Sequence, residues 1–150
     1  MKRALWITGW IALLVLVMLA AAGCENLTGG PYKIVSTKPD RLEVRPGSEA
    51  TLLVSVGRSG RPQVQHTDTI DVTLSASDSQ LGVKPKVTSY EEITSPNTLH
   101  IVMRPGATLP REFTFEVQVP QSLPPGEYQL RVSMKANDDT DAKTITLKVN

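Results

Sequence analysis

From Tyr32 to the C-terminus, apolar and polar residues alternate almost one for one, and no window holds helical spacing over three turns. A period of two sends successive side chains to opposite faces, so each run is a strand with one face in a core and the other in water. Ala50, Leu52, Val54 and Val56 form one such set, with Thr51, Leu53 and Ser55 between them. Ile70, Val72, Leu74 and Ala76 alternate with Asp71, Thr73 and Ser75. Phe113, Phe115, Val117 and Val119 alternate with Thr114, Glu116 and Gln118, and Tyr128, Leu130, Val132 and Met134 with Gln129, Arg131, Ser133 and Lys135. Leu99, Ile101 and Met103, then Ile145, Leu147 and Val149, complete the pattern. Ile34 and Val35, followed by Leu42 and Val44, read as one first strand broken at Pro39.

Proline and glycine punctuate the runs at Arg45-Pro46-Gly47, Arg104-Pro105-Gly106 and Pro124-Pro125-Gly126. Proline removes a ladder donor and glycine takes backbone angles closed to other residues, so both belong in turns. Regular short strands with such breaks predict an all-β fold. The expectation is an antiparallel β-sandwich of about seven strands over residues 32–150, with a further short strand near Leu81–Lys84.

The N-terminus is different in kind. Met1-Lys2-Arg3 is basic, Ala4 to Ala22 carries no charge, and both tryptophans, Trp6 and Trp10, lie inside it. A basic start, an apolar run and small residues make a secretory signal. The run is also just long enough to cross a bilayer, so an uncleaved anchor is the alternative. Ala20-Ala21-Ala22-Gly23-Cys24 ends it with small residues and then the lone cysteine of the chain. This resembles the lipobox of bacterial lipoproteins, although the family pattern places leucine where Ala21 stands. The resemblance implies a signal peptide over 1–23, lipidation of Cys24 and attachment to a membrane outside the cytoplasm. Several acyl chains anchor firmly where one binds only marginally. Residues 24–31 then form a short tether. With one cysteine no intrachain disulfide can form, so the core alone must hold the fold.

A second resemblance sits at the start of the sixth run. Leu123-Pro124-Pro125-Gly126-Glu127-Tyr128 puts a tyrosine just after a turn, similar to the tyrosine corner of immunoglobulin-like domains. Antibody domains carry cysteine two residues later, where Leu130 stands here. Pro46-Gly47-Ser48-Glu49-Ala50-Thr51-Leu52, and Val119-Pro120 through Val132, more closely resemble the immunoglobulin-like modules of bacterial surface proteins and of domains appended to glycosidases. That likeness implies the fold, with Gly126 and Tyr128 as its defining residues, and says little of function.

Recognisable catalytic chemistry is absent from the sequence. There is no nucleophile elbow and no phosphate loop, and the two histidines, His66 and His100, are expected as solvated surface residues. Glu91 and Glu92 are adjacent, so in an extended chain they point to opposite faces rather than at one substrate. Asn137-Asp138-Asp139-Thr140-Asp141 offers two readings. Asp138, Asp139 and Asp141 are calcium candidates, but Asn and Asp also build tight turns for conformational reasons. No cofactor is expected. Without Lys2 and Arg3, Lys+Arg falls from 16 to 14 against 15 Asp+Glu, a balance of −1 with no pull on nucleic acid.

The reading is a non-catalytic envelope lipoprotein that binds or scaffolds, its partner a protein or a glycan. A structural spacer with no ligand is the alternative. Sugar sites use aromatic platforms, and Tyr32 and Tyr90 are the aromatic side chains not assigned to the core or the corner. In such a sandwich the loop Gly57–Thr67, with Arg58, Arg61 and His66, should face Asn137–Asp141 at one end.

Overall fold

The computed structural model describes residues 30–60, 62–88 and 90–150. The expected signal peptide, Cys24, most of the tether and Arg61 lie outside them. Among the described residues ten strands form, named in chain order: β1 (Tyr32–Lys38), β2 (Arg41–Val44), β3 (Glu49–Arg58), β4 (Asp68–Ala76), β5 (Gly82–Lys86), β6 (Glu91–Ser95), β7 (Thr98–Met103), β8 (Arg111–Gln118), β9 (Gly126–Ala136) and β10 (Asp139–Val149). They make a four-stranded sheet in the order β1-β3-β8-β5 and a six-stranded sheet in the order β2-β10-β9-β4-β7-β6.

The all-β, two-sheet expectation holds. The core is the set of in-phase side chains of both sheets: Leu52, Val54, Val56, Phe113, Phe115 and Val117 from one, Ile70, Val72, Leu74, Leu130, Val132 and Leu147 from the other, all fully buried. Phe113 and Phe115 are the largest of them.

The strand count and the pairing need correction. The broken first run is two strands in different sheets. β1 pairs antiparallel with β3, the chain turns at a cis Lys38–Pro39 peptide, and β2 pairs parallel with β10. The sheet is therefore not wholly antiparallel. β5 occupies the place of the possible short strand, and it carries Pro85 at an edge, where a missing donor costs nothing. β6 had no counterpart in the sequence reading, because the inward position opposite Ile101 is filled by Glu91 rather than by an apolar residue.

Candidate functional site

Asp68 opens β4 in the same phase as Ile70 and Val72, so the pleat carries its carboxylate inward. A buried carboxylate needs donors, and three surround it. The Tyr32 hydroxyl donates to Oδ2 at 2.6 Å, Asn137 Nδ2 donates to Oδ1 at 2.7 Å, and Arg58 Nη1 lies 3.6 Å from Oδ2. The Arg58 guanidinium also sits 4.9 Å above the centre of the Tyr32 ring. Burial pushes the Tyr32 phenol up to about 12, and the neighbouring Asp68 carboxylate adds to the shift.

The acidic hairpin joins this cluster. Asn137 takes a left-handed φ of 51° in the two-residue turn between Ala136 and Asp139, a conformation that asparagine tolerates. Asp139 Oδ2 accepts from the Tyr32 backbone N–H at 2.9 Å, and Asp141 Oδ2 accepts from that of Ile34 at 2.9 Å. Those two donors lie on the edge of β1 turned away from β3, where no strand could satisfy them. Asp138 is exposed at the turn. Among the described residues no group of three or more His, Cys, Asp or Glu side chains is placed to hold a metal ion.

The loops expected to face each other do meet, with Asp68 between them. The contact is buried, not a surface pairing: the Arg58 and Asp68 side chains are only 15% and 10% exposed. His66 is exposed in the β3–β4 loop. Tyr128 donates its hydroxyl to the Pro124 carbonyl at 2.8 Å, and a methyl at Gly126 would meet that ring at an ordinary 3.8 Å.

The second place of interest is the far edge of the six-stranded sheet. Tyr90, just before β6, is 90% exposed and holds φ at 59°. That conformation is uncommon for a bulky residue, and the ring gains no burial from it. Tyr90 borders a cavity of about 770 Å³ together with Glu92, His100, Val102 and Arg104. Beneath it Glu91 is fully buried and accepts from Thr88 N at 2.9 Å, Thr88 Oγ1 at 3.1 Å and Arg111 Nη2 at 3.2 Å. Arg111 opens β8, so this pair ties the edge of one sheet to the other.

His100 corrects an expectation. It does face outward, but it is not simply solvated: its side chain is 25% exposed and Nδ1 lies 2.6 Å from Oδ1 of Asp71, its partner across β4 and β7. The imidazole is thereby held at the border of that cavity. Tyr32, expected as an aromatic side chain outside the core, is buried, Glu91 faces inward, and Asp68 carried no expectation. The signal for Asp68 was its phase, which matches the buried residues that follow it.

No protein-family model and no curated protein matches the sequence. Among solved structures, the chain is similar to the third ScaB cohesin of R. flavefaciens, solved in complex with a group 1 dockerin. The TM-score is 0.54 at 16% identity, covering 83% of this chain and 98% of that one. Domains 4 and 5 of the S-layer protein SbsC match with a TM-score of 0.44 at 12% identity, covering 76% of this chain and 43% of that one. A family 123 glycoside hydrolase from Clostridium perfringens matches with 0.40 at 14% identity, over 72% of this chain and 22% of that one. The cohesin likeness establishes a shared two-sheet fold.

Proposed function

We propose that this protein is an envelope lipoprotein: exported, cut before Cys24, lipidated there, and working without catalysis as a binding or scaffolding module on an immunoglobulin-like sandwich. The observation that carries the reading is the start of β1 at Tyr32, eight residues beyond Cys24 of the Ala20–Cys24 motif. Fully extended, so short a segment reaches at most about 28 Å, which holds the module at the membrane surface. The fold of a cohesin, a protein solved in complex with a dockerin, supports a binding role by analogy. The cluster around Asp68 fits attachment as well. A pull on the tether reaches the chain at Tyr32, where the phenol, the Tyr32 N–H and the Ile34 N–H are all hydrogen-bonded to β4 and β10.

Labelling with a fatty acid in the native envelope tests the anchor. Label should appear on the protein, and Cys24→Ser should lose it and move the protein from the membrane to the soluble fraction. A protein that stays membrane-bound and unlabelled with serine at that position would show a retained transmembrane anchor instead. Covalent cross-linking of the lipidated protein in its envelope, followed by identification of what is joined to it, tests the binding role.

A further inference from the structure

The edge strand β1 carries a bulge close to the point where the tether enters. Ile34 lies opposite Val56 and Ser36 opposite Ser55, so Val35 is an extra residue with no counterpart on β3. It stands on the outer face of the four-stranded sheet, 60% exposed, and lies over Gly57. The contact requires that glycine. A methyl at position 57 would come within 2.9 Å of Val35 Cγ2 and 3.3 Å of Pro110 Cβ. Pro62 and Pro110 are exposed beside it. With Val35, Gly57 and Leu109 they line an open apolar groove of about 360 Å³.

Two properties of the groove point to what covers it. The first is its hydrogen bonding. Proline has no N–H to offer, and the Leu109 N–H is already given to the Pro62 carbonyl at 2.7 Å. Gly57 is paired with Lys33 inside the sheet. A protein or sugar partner is held in place by donors and acceptors, whereas hydrocarbon penalises any that are left unmet. The second is position. Tyr32, where the tether ends, pairs with Arg58, the neighbour of Gly57. Val35 follows three residues later, about 10 Å along the strand. From Cys24 the tether reaches at most about 28 Å, so this end of the sandwich stays close to whatever holds Cys24. Lys33 and Glu112 flank the groove with opposite signs, and Arg58 is paired with Asp68. The described charges therefore favour neither sign of headgroup.

We propose that this groove docks on the lipid surface itself. Val35, Pro62 and Pro110 enter the boundary between headgroups and acyl chains. The module thereby takes one orientation instead of turning freely on its tether, with the outer face of the four-stranded sheet toward the membrane and that of the six-stranded sheet away from it. This deepens the lipoprotein reading and rests on it.

Depth-dependent fluorescence tests it. Both tryptophans lie in the expected signal, so residues 24–150 contain none, and they keep every described strand. Coupling the Cys24 thiol to a maleimide lipid in phosphatidylcholine vesicles supplies the anchor chemically. Single tryptophans then report contact with brominated acyl chains. Pro62→Trp should lose about half of its emission or more, as a residue set into the interface would. Ser122→Trp, in the turn at the opposite end, should lose none, and neither should Val102→Trp on the outer face of the other sheet. Val35→Trp is a second reporter, should Pro62→Trp disturb its loop. Adding Val35→Asp to the Pro62→Trp chain should restore full emission with the Tm unmoved, and high salt should leave the quenching as it was. Three results would each overturn the proposal: no quenching at positions 35 and 62, equal quenching at 62 and 102, or quenching that survives Val35→Asp. Because the anchor is chemical, such a result would sink the docking alone, while fatty-acid label on Cys24 in the native envelope would still uphold the lipoprotein.

Discussion

Tyr32 is engaged through its ring, its hydroxyl and its backbone amide at once. Its phenol titrates near 12 in the folded state against 10.0 ordinarily. Below pH 10 both states hold the proton and the stabilising contact is intact. Between about 10 and 12 the unfolded chain gives up a proton that the folded chain keeps, so stability falls as pH rises. Chemical denaturation across this window should therefore show a decline that Tyr32→Phe removes, and a decline of equal size in the variant would exclude Tyr32 as its cause. At neutral pH the same substitution leaves Asp68 short of one donor and should cost about 1–3 kcal/mol. Individual side chains were the least legible part of this chain. Alternation says that a position faces inward. It does not say that a carboxylate such as Asp68 or Glu91 will be stationed there, because the partners Tyr32, Asn137 and Arg111 come from segments that only the fold brings together.

Among the elements, the edge strands show how the two sheets are finished. β1 has amides that no strand covers, and the acidic hairpin covers them with side chains. Replacing Asp139 and Asp141 with alanine should speed amide exchange at Tyr32 and Ile34 while the amides of β8 and β9 keep their protection. The expected loss is about 1–2 kcal/mol for the pair. Unchanged exchange at those two amides would mean that water serves them equally well. β6 is fastened differently, by the buried Glu91–Arg111 pair, and Glu91→Ala should cost about 3–5 kcal/mol because it removes the buried acceptor that Thr88 and Arg111 share. The long strands β3, β4, β8 and β9 were legible because each has a period of two, and β10 was legible only from Ile145 onward. β6 was not, because Glu-Glu-Ile-Thr-Ser puts its charge where the pattern requires an apolar residue. The division of the first run between two sheets was also hidden, since Pro39 marks a break and not the direction taken after it.

For the molecule as a whole, nothing covalent beyond the backbone holds the sandwich among the described residues, and the one cysteine lies before them. Stability then rests on the buried phase of both sheets, centred on Phe113 and Phe115. A domain of this size has about 5–15 kcal/mol in total, and Phe113→Ala should remove about 3–5 kcal/mol of it. Residues 31–150 should therefore unfold in a single cooperative transition. A reductant should leave its midpoint unmoved, and so should a calcium chelator, because Asp139 and Asp141 already accept hydrogen bonds from β1. A Tm that drops on chelation, and recovers with added calcium, would return these aspartates to metal binding and make the β1 contacts secondary. If instead the midpoint holds, the hairpin acts as a clasp that fixes β1, the edge of the smaller sheet, to β10 of the larger one.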